Sequence, residues 1–188
     1  MSQRFDFESL PIADLYKIHR KLISDHRGFL ARIFCANEFR EIGLSKPIVQ
    51  MNHTLTKNAG AVRGMHYQNP PFTETKIITC VKGEVFDVAI DLRKDSKTFL
   101  HWHAEILSEE NHASLYIPDG FAHGFQTLKD NCELLYLHTN IYEQEAEGAL
   151  NANDPYLSIE WPLKITDISE RDKHHSMVSK EFTGLELK

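Results

Sequence analysis

The feature that most constrains the fold is a series of short β-type segments between Lys76 and Tyr142, most of them followed by turn-forming residues. Lys82-Gly83 separates the first two segments, as the turn of a β-hairpin would. The later segments are Phe99 to Leu107, Ala113 to Ile117, Phe121 to Leu128 and Cys132 to Tyr142. Many short strands closed by turns predict an all-β sandwich or barrel, and not alternating strands and helices.

Helical patterns are few. We expect Asn37 to cap a short helix from Glu38 to Ile42 that ends at Gly43. Ser169 is expected to cap a helical turn that continues to Asp172. The chain contains no internal repeat or linker, so residues 1–188 are predicted to form a single domain.

Charge and cysteine usage exclude several classes of protein. The formal net charge is -6, which does not provide the basic surface that nucleic-acid binding needs. Cys35, Cys80 and Cys132 form no CxxC pair, so they predict neither a zinc knuckle nor a disulfide framework, and the last two are expected to be buried thiols. No segment has the apolar length of a membrane span, and the first residues do not resemble a signal peptide. We therefore expect a cytoplasmic protein that binds neither nucleic acid nor a membrane.

An arginine and a histidine stand close together in the stretch RGMHYQ, residues 63–68. Three positions separate Arg63 from His66, so a regular strand would direct them to opposite faces. Gly64 lies between them and permits a bulge or kink that brings both to one side. A lone histidine is more often structural than catalytic, so this stretch is a weak signal by itself.

Two further stretches add polar groups that an ordinary core would not contain. The Pro-Asp-Gly turn at residues 118–120 leads into a strand that carries His123. By alternation, Tyr136, His138, Asn140 and Tyr142 share one strand face, which is polar enough to line a wet pocket. Near the end of the chain, Asp172 could orient a histidine.

Together these stretches resemble the dTDP-4-dehydrorhamnose 3,5-epimerase family. The matching stretches are RGMHYQ (63–68), KGEVFDVAIDLRKDS (82–96), IPDGFAHGF (117–125), ELLY (133–136) and ISERD (168–172), with DHRGF (25–29) and NDPYLSIEWP (153–162) also in agreement. Several motifs in one order make the resemblance specific, and it extends from Ser24 to Asp172. It implies a cupin-type jelly-roll β-sandwich with a few short helices. It also implies a homodimer in which the subunits share an N-terminal strand, for which the run from Ile12 to Ile23 is the candidate.

The resemblance further implies an isomerase that needs neither a cofactor nor a metal. Its substrate would be a nucleotide-diphosphate sugar, a 4-keto-6-deoxyhexose that is epimerised at C3, C5 or both. His66 would be the catalytic base, oriented by Asp172, Lys76 would stabilise the enolate, and Tyr136 would be the acid on the opposite face of the sugar. The residues at the family's substrate-binding positions are Arg27, Arg32, Gln50, Asn52, Arg63, His123 and Tyr142.

These residue types suit that chemistry. The C4 ketone acidifies the hydrogens at C3 and C5, and histidine titrates near neutral pH, so it can take one of them. An aspartate on the other ring nitrogen fixes the tautomer, and a nearby cation stabilises the enolate oxygen. Tyrosine keeps its proton at neutral pH and can deliver it to carbon.

Three positions depart from the family. Ile23 stands where an aromatic residue packs on the base, and Arg32 stands where a glutamate contacts the base and deoxyribose. Two hypotheses follow: the nucleotide is CDP, GDP or UDP, or dTDP is retained despite local sequence change. Ile141 replaces a second tyrosine beside Tyr142, which leaves open whether C3, C5 or both are inverted.

Three alternative functions are compatible with the fold. A 3,4-ketoisomerase needs a similar base but no acid on the opposite face. A non-catalytic protein that binds sugar nucleotides has no use for Lys76, Tyr136 and Asp172 together. A metal-dependent cupin is disfavoured, because Tyr67-Gln68 breaks the usual His-x-His pair after His66.

Two other pairs of histidines need an interpretation. His101 and His103 have the His-x-His spacing, but they lie outside the matching motifs, so we interpret them as surface or interface residues. His174-His175 is interpreted as a solvated pair.

Overall fold

Two β-sheets face each other in the computed structural model, which describes residues 3–187. The strands are β1 (Phe5–Ser9), β2 (Tyr16–Arg20), β3 (Ile23–Asp25), β4 (Gly28–Leu30), β5 (Gln50–Thr56), β6 (Ala61–Gln68), β7 (Lys76–Lys82), β8 (Glu84–Asp91), β9 (Trp102–Ser108), β10 (Ala113–Ile117), β11 (Phe121–Thr127), β12 (Cys132–His138), β13 (Glu147–Ala149) and β14 (Asp167–Ile168). The helices of these residues are α1 (Ala36–Phe39), α2 (Glu170–Lys173) and two 3-10 turns, Arg40–Ile42 and Gln144–Ala146. The predicted all-β fold with a few short helices is confirmed.

The order of the strands shows how the chain winds. The first sheet has the order β1-β2-β10-β7-β12-β5, and the second has the order β13-β6-β11-β8-β9. β14 lies parallel to the start of β6, while β3 and β4 form a separate hairpin. From β5 to β8, and again from β9 to β13, every strand lies in the sheet opposite to that of the strand before it. The chain therefore winds around the sandwich as in a jelly roll.

The turn at Lys82-Gly83 is present, but the predicted hairpin is wrong. Gly83 has a φ angle of 78°, and a Cβ atom there would lie 2.7 Å from the sulfur of Cys132. The flanking strands belong to different sheets: β7 pairs with β10 and β12, whereas β8 pairs with β9 and β11. Both strands are buried along most of their length, so their sequences lack the alternation that would indicate a partner.

The N-terminal run from Ile12 to Ile23 does not offer a free strand. Its central part, β2, pairs with β1 on one side and with β10 on the other. Because both edges of β2 are occupied within the chain, our assignment of this run as the strand shared between subunits is wrong for Tyr16–Arg20. β5 lies at an open edge of the first sheet, and the β3–β4 hairpin is exposed along both strands.

Two strand boundaries differ from the prediction. β9 begins at Trp102 and not at Phe99, because Leu100 adopts a left-handed φ of 62°. β12 ends at His138 and not at Tyr142, so the alternation of side chains stops before Asn140.

The two short helices test the predicted caps. α1 begins after Cys35, whose side chain forms no cap hydrogen bond, so the prediction of Asn37 as the cap is wrong by two positions. Gly43 ends the following 3-10 turn with a φ of 90°, as predicted. The prediction for Ser169 is confirmed, because its Oγ accepts a 3.0 Å hydrogen bond from the backbone N–H of Asp172. This cap fixes Asp172 at the start of α2.

The core lies between the sheets and is mostly aliphatic and aromatic, with Ile78, Leu115 and Phe125 among its members. Cys80 and Cys132 are buried free thiols, as predicted, and burial raises the pKa of Cys80 to about 12. Within residues 3–187, no helix is long and apolar enough to cross a membrane.

Candidate active site

A cavity of about 270 Å³ opens between the two sheets and is lined largely by polar side chains. The first sheet contributes residues of β5, β7 and β12, and the second contributes residues of β6, β11 and β13. The lining residues are Asn52, Thr54, Arg63, His66, Tyr67, Gln68, Glu74, Lys76, His123, Phe125, Tyr136, His138, Tyr142, Glu147 and Arg171. Most of the residues predicted from the sequence therefore share one cavity.

The bulge predicted at Gly64 brings Arg63 and His66 to this cavity. On the neighbouring strand β11, His123 is opposite His66 and Phe125 is opposite Arg63, so three steps along β6 match two steps along β11. A Cβ atom at Gly64 would lie 2.5 Å from the backbone of β11, and the φ angle there is 130°. Only glycine fits this position without strain, so the prediction is confirmed.

His66 and Asp172 form the predicted pair. The Nε2 atom of His66 is 2.9 Å from Oδ1 of Asp172, whose side chain is 4% exposed. Burial alone would raise the pKa of Asp172, but the hydrogen bond and the charge of His66 outweigh it and hold that pKa well below its usual range. The ionised carboxylate therefore occupies Nε2, and Nδ1 is the ring nitrogen left to exchange a proton with a substrate.

Tyr136 and Lys76 stand on the opposite wall, which belongs to the first sheet. Tyr136 lies on β12, and its ring meets that of His123 edge to face at 5.8 Å. Burial raises the pKa of Tyr136 well above its ordinary value, so the phenol keeps its proton. Lys76 begins β7, and its Nζ is 3.0 Å from Oε1 of Glu74. This wall thus carries a phenolic acid and a paired cation.

The ring of His123 is hydrogen-bonded to a buried carboxylate. Both carboxylate oxygens of Asp87 on β8 lie 3.0 Å from Nε2 of His123. Burial raises the pKa of Asp87, although the neighbouring His123 opposes that shift. The ring of His123, on the strand between β6 and β8, is therefore fixed in orientation.

The predicted binding residues Gln50, Asn52 and Tyr142 stand at the rim. The backbone N–H of Tyr142 donates a 3.0 Å hydrogen bond to Oε1 of Gln50, and its hydroxyl donates to Glu147 at 3.1 Å. The Gln50 amide also donates to Oδ1 of Asn52 at 3.3 Å. Gln50 does not line the cavity itself, but it supports two residues that do.

Arg27 and Arg32 are not brought to the cavity within this chain. Arg27 lies in the exposed turn between β3 and β4 and pairs with Asp25 at 2.6 Å. Arg32 follows β4 and pairs with Glu38 at 2.7 Å. The reversed charge at Arg32 is therefore offset by a local carboxylate, and the single chain does not place these two predicted residues at the site.

Sequence reasoning did not assign roles to Glu74 and His138. His138 Nδ1 donates a 2.7 Å hydrogen bond to Oε2 of Glu74. The signals were present: His138 lies two residues after Tyr136 and Glu74 lies two residues before Lys76, so each shares a strand-type face with a predicted residue. Asn140, which we expected on the same face, lies beyond the end of β12, and its amide donates a 3.4 Å hydrogen bond to the carbonyl of Thr73.

The interpretation of His174-His175 as a solvated pair holds for His174 and is wrong for His175. His174 is exposed, but His175 is partly buried and its Nε2 is 3.2 Å from Oδ1 of Asp172. The same carboxylate oxygen thus accepts hydrogen bonds from two imidazoles. The three-residue spacing after Asp172 was the available signal, because it places both side chains on one side of a helical turn.

One group of side chains among residues 3–187 has the spacing of a metal site. The ligand atoms of His66, Asp172 and His175 lie within 4.8 Å of one another. Both imidazoles are engaged by Asp172, however, and a guanidinium nitrogen of Arg171 lies 3.4 Å from Nε2 of His66. The positive charge of Arg171 opposes a cation at this point.

The His101 and His103 pair lies away from the cavity. His101 is exposed and precedes β9, while His103 is partly buried and pairs with Glu105 at 2.9 Å. This placement agrees with our interpretation of them as surface residues.

The two walls determine what the site can do chemically. The second sheet supplies an imidazole oriented by a carboxylate, and the first sheet supplies a phenol and an ammonium group. A base and an acid that face each other can remove a proton from one side of a carbon atom and return one to the other side. The fold and the site therefore define a jelly-roll enzyme of the proton-transfer type.

Comparisons with known proteins agree with this class. The family model described as dTDP-4-dehydrorhamnose 3,5-epimerase matches residues 9–180. A dTDP-4-dehydrorhamnose 3,5-epimerase from Shigella flexneri is 41% identical over 162 residues, which cover 86% of this chain and 89% of that protein. The chain therefore belongs to the dTDP-4-dehydrorhamnose 3,5-epimerase family, a family of isomerases, and the resemblance predicted from its motifs is confirmed.

Solved structures confirm the fold. The dTDP-6-deoxy-D-glucose-3,5-epimerase of Legionella pneumophila, in complex with dTDP-4-keto-L-rhamnose, superposes with a TM-score of 0.90 and 34% identity, covering 98% of this chain and 100% of that one. A 3'-monoepimerase from Streptomyces bikiniensis, in complex with dTDP-quinovose, has a TM-score of 0.83 and 32% identity, covering 89% and 85% of the two chains.

Proposed function

We propose that this protein epimerises C3 and C5 of a dTDP-linked 4-keto-6-deoxyhexose during deoxysugar formation. The observation that carries the proposal is the placement of His66 and Tyr136 on opposite walls of one cavity. The dTDP-4-keto-L-rhamnose bound to the Legionella relative supports this substrate class.

The reaction needs one proton removed and one returned at each centre. Nδ1 of His66 takes the proton from C3 or C5, and the electron pair of the broken C–H bond moves to the C4 oxygen, which gives an enolate. The ammonium group of Lys76 stabilises that negative charge, and Asp172 stabilises the imidazolium. The hydroxyl of Tyr136 then protonates the same carbon from the other face. The phenolate regains its proton from solvent, and His66 releases its proton there.

The nucleotide is proposed to be dTDP. Curated relatives of about 40% identity are dTDP-4-dehydrorhamnose epimerases, and the charge of Arg32 is offset by Glu38. A second candidate is CDP, GDP or UDP, supported by the absence of a ring at Ile23. Dissociation constants for the four nucleoside diphosphates decide between them, and a clear preference for any nucleotide other than dTDP would contradict the proposal.

Both centres are proposed to be inverted, as the names of the curated relatives suggest for those proteins. Inversion of C3 alone is the second candidate. It is supported by Ile141, which is 53% exposed beside Tyr142 and supplies no ring or hydroxyl at the rim. The Streptomyces relative is itself named a 3'-monoepimerase.

We also propose a homodimer in which the β3–β4 hairpin of one subunit reaches the cavity of the other. Phe29 and Leu30 on this hairpin are 60% and 68% exposed, and Met51 on the edge strand β5 is 66% exposed. Apolar exposure on an open strand edge is the usual sign of pairing with another chain. Such pairing would carry Arg27 and Arg32 to a substrate that they do not approach within one subunit. A monomer mass in light scattering at micromolar concentration would contradict it.

A cytoplasmic location and the absence of a nucleic-acid partner are proposed on the grounds given by the sequence. The cysteines of residues 3–187 are free, which suits a reducing compartment, and the net charge is -6. Cell fractionation checks the location.

The proposed function is tested by incubation in D2O with a panel of nucleotide-linked 4-keto-6-deoxyhexoses, followed by NMR, with His66→Ala as the control. Deuterium at C3 and C5 of an inverted product, in the wild type alone, is the expected result. Migration of the ketone without change at C5 would favour a 3,4-ketoisomerase. Binding without any exchange would favour a non-catalytic protein.

A further inference from the structure

Three titratable side chains are packed together in the wall that the first sheet contributes. Oε1 of Glu74 is 3.0 Å from Nζ of Lys76, and Oε2 accepts a 2.7 Å hydrogen bond from Nδ1 of His138. The side chains of Glu74, Lys76 and His138 are 8%, 9% and 8% exposed, respectively. We name these three residues the Glu74 cluster.

The backbone holds the Glu74 cluster in place. Lys76 and His138 are directly opposite each other on the antiparallel strands β7 and β12, so their side chains project to the same face. The backbone N–H of Thr75 donates a 2.8 Å hydrogen bond to Oγ1 of Thr139, whose own N–H donates to the carbonyl of Thr75 at 3.1 Å. Glu74, which precedes Thr75, therefore has an anchored backbone.

The charges within the cluster are balanced. Burial would raise the pKa of Glu74, but the hydrogen bond from His138 and the charge of Lys76 bring that pKa below its ordinary value. The amide of Asn52 accepts from Gln50 through Oδ1 at 3.3 Å, which leaves its Nδ2 facing Nε2 of His138 at 3.4 Å. This pattern puts the imidazole proton on Nδ1, where it is donated to the carboxylate. Lys76 thus faces an ionised carboxylate that is itself anchored.

Fold stability alone does not account for the cluster. Replacing buried ionic groups with apolar ones is often neutral or stabilising, so a buried ion pair is weak support for a purely structural role. A buried lysine without a counter-charge, by contrast, is driven towards its neutral form. All three residues line the same cavity as His66 and Tyr136.

We propose that Glu74 and His138 are positioning residues for Lys76. Glu74 holds the ammonium group of Lys76 directed at the C4 oxygen of the substrate, and His138 anchors the carboxylate of Glu74 through one donated hydrogen bond. The inference rests on the proposed function, in which Lys76 stabilises the enolate. Because a fixed cation stabilises the enolate more than the ketone, the effect falls on kcat and not on KM.

Glu74→Gln tests the charge, because glutamine keeps the size of the side chain. We expect kcat for epimerisation to fall about tenfold and KM to stay within about twofold. Glu105→Gln is the matched control: Glu105 also joins a lysine and a histidine, Lys17 at 2.7 Å and His103 at 2.9 Å, but lies outside the cavity. The control should keep kcat within about twofold of wild type. Equal losses in the two variants would overturn the inference.

A double-mutant cycle shows whether Glu74 acts through Lys76. In a Lys76→Met background, Glu74→Gln should change the residual rate by less than about twofold, since the group it positions is absent. The same tenfold loss in both backgrounds would show that Glu74 acts independently, and would overturn the inference. Thermal unfolding identifies any variant that fails to fold, in which case the His138 variants decide the question.

Two substitutions at His138 separate anchoring from other roles of the ring. His138→Asn keeps an N–H donor near the position of Nδ1, and we expect kcat within about threefold of wild type. His138→Ala removes the donor, and kcat should fall about fivefold with KM unchanged. Equal loss in both variants would show that the ring itself is needed and would contradict the anchoring role.

The wild-type protein, measured first, separates this inference from the proposed function. If the wild type epimerises no nucleotide sugar of the panel, the proposed function fails and the inference fails with it. If the wild type is active and Glu74→Gln has unchanged kcat, the inference fails alone.

Discussion

The two walls of the cavity are built in different ways. On the wall of the second sheet, the side chain of His66 is 30% exposed, and the carboxylate that orients it comes from α2, 106 residues further along the chain. On the wall of the first sheet, Lys76 is 9% exposed, is paired with Glu74 just before β7, and lies opposite His138 on the neighbouring strand β12. One wall is open and assembled from distant segments, whereas the other is closed and assembled by strand pairing.

This difference matches the different tasks of the walls. In the proposed mechanism His66 releases a proton to solvent after each turnover, which the 30% exposure of its side chain permits, and Tyr136, which is only partly buried, regains one. Lys76 is proposed to act through its charge, which interacts more strongly where water is excluded. Burial also raises the pKa of Tyr136, which keeps the phenol protonated for its proposed role as the acid. Exposure therefore differs between the proposed base and the groups that face it across the cavity.

We expect the greatest loss of kcat/KM from a substitution at Gly64, which shapes the open wall. Gly64→Ala introduces a Cβ atom 2.5 Å from the backbone of β11 at a φ of 130°, which should displace His66 and lower kcat/KM about 1000-fold. Gly43→Ala is the control: Gly43 also has a positive φ, 90°, but a Cβ atom there meets nothing within 4 Å. Steady-state kinetics check both, and wild-type kcat/KM in Gly64→Ala would refute the role given to the bulge.

Tyr136→Phe should separate proton removal from inversion. His66 can still remove a proton, so deuterium should still enter the substrate, while inversion falls about 100-fold because the opposite face has lost its acid. NMR in D2O measures exchange and inversion in the same sample. Parallel loss of both would show that Tyr136 is needed for proton removal, contrary to the separate roles assigned here.

Asp172→Asn tests how much the ionised carboxylate that orients His66 contributes to the free energy of unfolding. The folded-state pKa of Asp172 is lowered, so its carboxylate stabilises the fold above its unfolded pKa, and this contribution is lost as the pH falls through the folded value. At pH 7 the variant should lose about 2 kcal/mol of unfolding free energy, and the difference should shrink below about pH 4. Urea unfolding across this range is the measurement, with the exposed Asp167→Asn as control. A difference that does not change with pH would contradict the ionised state of Asp172.

The smallest expected effect is at His175. His175→Ala removes one of two imidazoles on Oδ1 of Asp172 but leaves the pair with His66 intact, so kcat should fall about threefold. The neighbouring His174→Ala, at an exposed position, should match wild type. A loss as large as that of His66→Ala would mean that His175 takes part in the chemistry.

The open wall was largely predictable from the sequence, because its signal is local. Arg63, Gly64 and His66 lie within four residues, and a glycine between two polar residues of a strand indicates a bulge. Asp172 could be paired with His66 only through the family resemblance, since no local pattern joins residues 106 positions apart.

The closed wall was only partly predictable. Alternation placed Tyr136 and His138 on one face, but it could not show that His138 lies opposite Lys76 across two strands. The same lack of pairing information explains the wrong prediction of a hairpin between β7 and β8. Strands that are buried along most of their length show no alternation that would indicate their partners. The contact between Glu74 and His138 joins residues 64 positions apart, so two-residue spacing could place each beside a predicted residue but could not pair them.

A crystal structure with a bound dTDP-4-keto-6-deoxy sugar would test whether the two walls act on opposite faces of the substrate. We expect the sugar ring to lie between the walls, with Nδ1 of His66 and the hydroxyl of Tyr136 on opposite faces and the C4 oxygen beside Nζ of Lys76. A sugar bound outside the cavity, or with both groups on the same face of the ring, would contradict it.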